Sequence, residues 1–484
     1  MVSVKKQIVS GVFYTAISKY TGILVSLCVT AILARLLTPD DFGVVAIASV
    51  LIAFFDLLCN MGFGPAIIQH KGLRDSELSD IFSFTVLIGT ALAICFFFLA
   101  KPISHYYKND LLINLCQLIS LNLVFISFNI VPNALLLKDK QFKFLSICNL
   151  CTQAVLGGIA IFCAYSGLGI YSLLITPIGS SFFVSIANYI KIPVKLVLSL
   201  KINFHSIRKI LSFSLYQFCF NIVNYFSRNL DKLLIGKYIG MRSLGYYEKS
   251  YRVMMLPLSN ITHVITPTIQ PILSDFQDQK ECLLNYSIKL LRILALIGCI
   301  LTPFLFFSAR ELILILFGDQ WVGAIQVFKL LSLSVFIQMV DSASGSILQS
   351  SNSAKYLFIS GLICAVINVF AILISVILFK KIEIVAVAID IAFALNLAVS
   401  FYYIFKKTFN AHIGVVLRIF GFPVLIGLMV TGFLFWIPVN SLPLVASLLI
   451  KLVVTVVVTG IFIQLTGQYD FRKLGISLRN LIKQ

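Results

Sequence analysis

Runs of predominantly apolar residues follow one another along almost the whole chain, separated by short polar stretches. A membrane-spanning helix needs about twenty such residues, so the pattern predicts spans at roughly 8–36, 43–68, 78–100, 111–137, 144–165 and 170–190. A basic connection follows, carrying Lys191, Lys195, Lys201, Arg208 and Lys209. The pattern resumes at roughly 210–235, 244–273, 283–308, 325–349, 356–379 and 384–405, and a last pair covers roughly 415–437 and 442–465. The expected architecture is an all-α integral membrane protein of about fourteen transmembrane helices, with two six-helix lobes and two C-terminal helices. In residues, this predicts an N-lobe at 1–200, a C-lobe at 201–410, and a final helix pair with a tail at 411–484.

The chain echoes itself. A-R-L-L-T-P-D-D-F-G at 34–43 lines up without gaps on G-K-Y-I-G-M-R-S-L-G at 236–245, each after a long helix. Glu77 and Glu281 both precede the third helix of their half, and Lys143-Phe144 and Lys355-Tyr356 both enter the fifth. Six is an even number, so both halves start on the same side and form parallel repeats about an axis along the membrane normal. Such repeats are expected to face each other across a polar cavity. Asp40-Asp41 in T-P-D-D-F-G reads as a turn, with proline leading and glycine closing.

Composition agrees with the pattern. Of 484 residues, 59% are hydrophobic and only 12% charged, with a mean hydropathy of +1.00; soluble domains carry about 25% charged residues. The net charge of +19 sits in short loops, without the basic stripe and interleaved aromatics of a nucleic-acid binder. The richer loops, from Lys5-Lys6 to Lys406-Lys407, mark the cytoplasmic side and put both termini there. Trp321 and Trp436 fall at outer ends, as in an aromatic belt, where Glu248 and Lys249 are expected to snorkel. The first apolar run is too long for a cleavable signal peptide. Cys148 and Cys151 form a C-x-x-C on a spanning helix with no second pair to complete a metal site. No G-x-S-x-G, H-E-x-x-H or P-loop occurs, and the loops are too short for a catalytic domain, so an enzyme is not expected.

Candidate chemistry lies on polar stripes inside the spans. On the seventh helix Asn221, Asn224, Arg228, Asp231 and Lys232 recur at helical spacing. Lys19 stands in the first helix; Asp56 and Asn60 lie one turn apart in the second, before the glycine-broken M-G-F-G-P. The fourth helix has Asn122, Asn129 and Asn133, the eighth Arg252 and His263, the tenth Gln338 and Asp341, the twelfth Asp390 and Asn396. His263 reads as a satisfied interhelical group. Ionisable residues within a span are costly unless they face a partner or a wet cavity. Two readings follow. Lys19, Arg228, Lys232 and Arg252 receive a phosphate or pyrophosphate, with Asp56, Asp231, Glu248 and Asp341 tuning them or carrying a coupling proton or sodium ion. Alternatively, these groups are interhelical salt bridges. The expected substrate site comprises Lys19, Asp56, Asn60, Asn224, Arg228, Asp231, Lys232, Arg252 and Asp341, with no cofactor beyond such an ion.

The runs L-A-R-L-L-T-P-D-D-F-G at 33–43, D-x-x-x-N-M-G-F-G-P-A-I-I-Q at 56–69, N-L-D-K-L-L-I-G-x-x-I-G-x-x-x-L-G-Y-Y at 229–247 and L-F-G-D-Q-W at 316–321 resemble bacterial polysaccharide exporters. These are the Wzx/WzxC and teichuronic-acid-type flippases of the multidrug/oligosaccharidyl-lipid/polysaccharide superfamily, and the likeness covers essentially the whole chain. It implies a two-lobed bundle that carries undecaprenyl-pyrophosphate-linked oligosaccharide to the outer leaflet by alternating access, for O-antigen, capsule or exopolysaccharide. It also implies membrane lipids and a polysaccharide polymerase or export machinery as partners, with a monomer sufficing. The pyrophosphate is expected near Lys19, Arg228 and Arg252. The superfamily's lipid II flippases carry several arginines in their first two helices; here the first has Lys19 and the second has Asp56 without a cation, which argues against a peptidoglycan precursor. The competing reading is a cation-coupled multidrug or metabolite antiporter of the same superfamily. That activity wants an acidic cavity, whereas mid-helix cations here at least equal the acids.

Overall fold

Inside a bilayer every backbone N–H and C=O has to be satisfied within its own segment, which is why apolar runs of this length become helices. The computed structural model describes residues 4–70, 72–199, 203–274, 276–277, 279–412, 414–437 and 442–465, and among the described residues no strand occurs. The helices are α1 (Val4–Leu36), α2 (Pro39–Asn60), α3 (Phe63–Gln69), α4 (Asp75–Tyr107), α5 (Leu111–Lys138), α6 (Phe142–Cys163), α7 (Ser172–Lys191), α8 (Phe204–Tyr238) and α9 (Met241–Ser274). They continue with α10 (Lys280–Phe307), α11 (Ala309–Phe317), α12 (Val322–Ser332), α13 (Ser334–Asp341), α14 (Ser344–Ser350), α15 (Ala354–Ile374), α16 (Ile382–Phe401), α17 (Gly414–Trp436) and α18 (Leu444–Leu465).

Among the described residues, ten helical segments are long and apolar enough to cross a membrane. An eleventh is added if α12 joins α13–α14 across their 47° bend. The protein is a multi-pass helical membrane protein. One such segment, Phe142–Lys191, takes in both the fifth and sixth expected spans. Within it α6 and α7 are separated by a turn at which Gly167 adopts φ +91°, a conformation a side chain would strain. The seventh and eighth expected spans are the 35-residue α8 and the 34-residue α9.

The fold divides into two compact units, Met1–Gly245 and Tyr246–Gln484. In the first, α4 packs on α5, α5 on α7, α1 on α6, and both α2 and α4 on α8. Ile47, Phe63, Ile67, Phe82, Phe96 and Leu115 are among its largest fully buried side chains. The chain after α7 is strapped along α4: the Ser83 hydroxyl donates to the Val197 carbonyl (3.2 Å) and accepts from the Ser199 N–H (2.9 Å). In the second unit α10 packs on α13 and α17, α16 on α12, α13 and α15, and α18 on α11 and α17. Leu291, Leu294, Met339, Ile347, Ile404 and Ile419 form its core. The first unit ends at Gly245 and keeps α8 with α2 and α4.

Three local expectations are corrected. T-P-D-D-F-G is a helix start, because Thr38 is the N-cap of α2, Pro39 opens it, and the Thr38 and Asp41 side chains bond each other's backbone N–H (3.3 and 2.9 Å). Trp321 is no belt residue: it is fully buried, edge-on to Tyr246 and tilted against Phe317, whereas Trp436 is 83% exposed. Lys249 does not snorkel either, being buried with its neighbour Ser250.

Candidate functional site

In the first unit, the site is built where α2 meets α8. The Tyr225 hydroxyl of α8 donates to the Val50 carbonyl of α2, and the Tyr225 and Phe226 rings lie 5.7 and 5.4 Å from Phe54. These contacts seat α8 against the stretch of α2 just before Asp56; the Asn224 side chain lies outside the described ones. Asn60 donates to the Asp56 carboxylate at 2.7 Å, so this acid and amide one turn apart act as a single polar unit. Just beyond, Met61 and Gly62 both turn left-handed and end α2, and α3 carries the chain to His70. Lys138 of α5 caps α3, donating to the carbonyls of Ile67 (3.2 Å) and His70 (2.7 Å).

Further along α8, Arg228 is exposed, Asp231 is buried, and Lys232 is half-buried with its N–H bonded to the Asp231 carboxylate at 2.8 Å. Lys19 of α1 is also exposed. Neither Lys19 nor Arg228 has a hydrogen-bond or ion-pair partner among the described residues. Two uncompensated cations inside apolar helices are suited to an anionic ligand.

In the second unit, Arg252 of α9 is exposed. Asp341, at the end of α13, lies beside the hydroxyls of Ser344 and Ser400. Its Oδ1, the Ser344 Oγ and the Asn396 Oδ1 are buried oxygens without a hydrogen-bond partner among the described residues. The expected residues therefore fall into a first-unit group on α1, α2 and α8 and a second-unit group on α9 and α13.

Two polar features go beyond the pattern of the spans. That pattern names Asn129 and Asn396 but not their partners: Asn188 of α7 donates to Asn129 of α5 at 2.8 Å, and Asn396 of α16 donates to Asn368 of α15 at 2.9 Å, so each unit carries a half-buried amide pair. The other is an ion pair: Lys451 of α18 donates to Glu311 of α11 (2.5 Å) and to the Phe307 carbonyl (2.7 Å), while Ser447 donates to Glu311 (2.6 Å). A lone lysine in the middle of the apolar run S-L-L-I-K-L-V-V is the signal that would have flagged it.

Many long membrane helices with polar stripes within them define the class: a polytopic helical membrane protein. The chain belongs to the family described as polysaccharide biosynthesis protein, which matches residues 32–326. It is 26% identical over 361 residues to an uncharacterized membrane protein in the cps region of Klebsiella pneumoniae, covering 72% of each chain. It is 25% identical over 359 residues to the lipopolysaccharide biosynthesis protein WzxC of Escherichia coli (strain K12), covering 72% of this chain and 71% of that one. In fold it is similar to the lipid II flippase MurJ in an inward closed conformation, with a TM-score of 0.74 at 16% identity, covering 93% of this chain and 98% of that one.

Proposed function

We propose that this protein is a flippase that moves undecaprenyl-pyrophosphate-linked oligosaccharide repeat units across the bacterial cytoplasmic membrane by alternating access, for cell-surface polysaccharide. Membership of the polysaccharide biosynthesis family supports the substrate class. The observation that carries the reading is two exposed cations, Lys19 and Arg228, on helices of a membrane protein, neither with a hydrogen-bond or ion-pair partner among the described residues. A pyrophosphate supplies the charge such groups lack, through charge-assisted hydrogen bonds strengthened by the low dielectric. In this reading Asp231 orients Lys232 beside them, Asp56 with Asn60 and Asn224 meets sugar hydroxyls, Arg252 is a further cation for the headgroup, and Asp341 takes a coupling proton or sodium ion. The protein carries lipid-linked substrate without altering it, in about fourteen spans with both termini cytoplasmic. It delivers that substrate to polymerase or export machinery.

The decisive experiment reconstitutes the protein in liposomes holding undecaprenyl-pyrophosphate oligosaccharide in the inner leaflet and follows its accessibility to an external lectin. Arrival of lectin-accessible glycan that needs Arg228 supports the reading; no arrival above empty liposomes overturns it. The second reading, a cation-coupled antiporter of the same superfamily, is favoured by the Asp341 carboxylate, whose buried Oδ1 has no hydrogen-bond partner among the described residues. Sodium- or proton-driven efflux of a cationic dye from the same liposomes would decide for it.

A further inference from the structure

The two corners that echo each other in sequence touch each other in the fold. Gly43 stands one turn into α2, where a Cβ would overlap the carbonyl oxygen of Met241 and lie 2.6 Å from its carbonyl carbon. Gly245 stands one turn into α9, where a Cβ would overlap the carbonyl oxygen of Pro39 and lie 2.9 Å from its carbonyl carbon. In the gapless alignment of 34–43 on 236–245, Gly43 matches Gly245 and Pro39 matches Met241. The two contacts are therefore one contact made twice, each repeat's glycine resting on the other repeat's first helical residue. This is the reciprocity of an isologous two-fold interface, built inside one chain. Gly236 extends it, since a Cβ there would come within 2.6 Å of Ile47 Cδ1. Pro39, Gly43, Gly245, Ile47 and Leu244 are all buried around the crossing.

Bare glycines let two helix starts approach to backbone distance, where Cα–H groups meet carbonyl oxygens. A joint of this kind has no side chain that can rearrange to follow a partial movement. It is met or parted, and that makes it a two-position element.

We propose that the α1–α2 and α8–α9 corners form a reciprocal glycine clasp that seals the non-cytoplasmic end of the transport route and must part and re-form once in every translocation cycle. This rests on the flippase reading and on the loop-charge orientation, under which α2 runs inward from its corner to the basic loop at Arg74.

Ile47, fully buried at the crossing, serves as the reporter. Ile47→Cys is introduced into the full chain with its eleven native cysteines replaced, and labelling by a membrane-impermeant maleimide is timed on intact cells. Gly43→Ala and Gly245→Ala are each expected to speed labelling by about tenfold or more, as a shift from a closed to a mixed population would, and to cut surface glycan. Gly158→Ala, where a Cβ meets open space, is expected to change neither. Labelling that stays slow in both alanine variants overturns the clasp, and fast labelling with full export overturns its place in the cycle. Should the alanine variants fail to accumulate, the glycine-intact reporter decides. Faster labelling in cells that make the lipid-linked oligosaccharide than in cells blocked at its first sugar supports the clasp; equal rates overturn it. The alanine comparison needs no cargo, so its result stands apart from a deletion strain that keeps its glycan, which counts against the flippase reading alone.

Discussion

Lys451 and Glu311 form an ion pair inside the second unit, with side chains 11% and 8% exposed, and fasten α18 to α11. Charges this deep are costly alone and tolerable together. Lys451→Ala should strand the Glu311 carboxylate and lower stability by about 3–5 kcal/mol. Replacing both, Glu311→Leu with Lys451→Met, should restore most of it. Thermal unfolding of the three purified variants in one detergent checks this; equal losses in the single and double variants would show that the pair contributes packing alone.

Arg228→Glu should abolish glycan export while leaving the protein in the membrane at its normal level, because an exposed side chain with no partner among the described residues contributes little to folding. Lys19→Glu should act in the same direction. Surface glycan and membrane abundance, measured side by side, separate a lost ligand from a lost protein.

The half-buried amide pairs Asn129–Asn188 and Asn368–Asn396 each invite a double-mutant cycle with leucine. Interhelical hydrogen bonds in membranes couple by about 0.6 kcal/mol and rarely above about 1.7 kcal/mol. A value in that range is expected for each pair, read from unfolding midpoints. Zero coupling would mean that lipid or water satisfies the freed amides equally well.

Thr38→Ala removes the hydroxyl that bonds the Asp41 N–H at the start of α2. Loss of an N-cap costs about 1 kcal/mol. Hydrogen exchange in the first turn of α2 should quicken, and Thr38→Ser should behave as the parent chain.

Spans were legible because apolar runs of bilayer length have few alternatives: α4, α5, α10, α15 and α18 lie where hydropathy puts them. What the pattern could not supply was depth around the axis. Lys249 and Arg252 stand less than one turn apart on α9, yet one is buried and the other exposed. Trp321 sits at the end of its segment as a belt residue would, but Phe317 and Tyr246 enclose it. Asn188 and Lys451 escaped notice because each is a single polar residue, and its partner comes from a helix far away in the chain. For the candidate site, the stripe on α8 could be read from periodicity alone. Its seating against α2 could not, since that depends on the Tyr225 contact.

The mutual seating of Gly43 and Gly245 bears on the ancestry of the chain. If the two halves descend from one duplicated segment, a copy of that segment could meet its twin at this same corner, before fusion, as a symmetric pair. Any bulk gained at one glycine would then have struck both junctions at once. On that history each decapeptide would be the mould for the other, and the position the two share, Gly43 and Gly245, is where the mould is tightest.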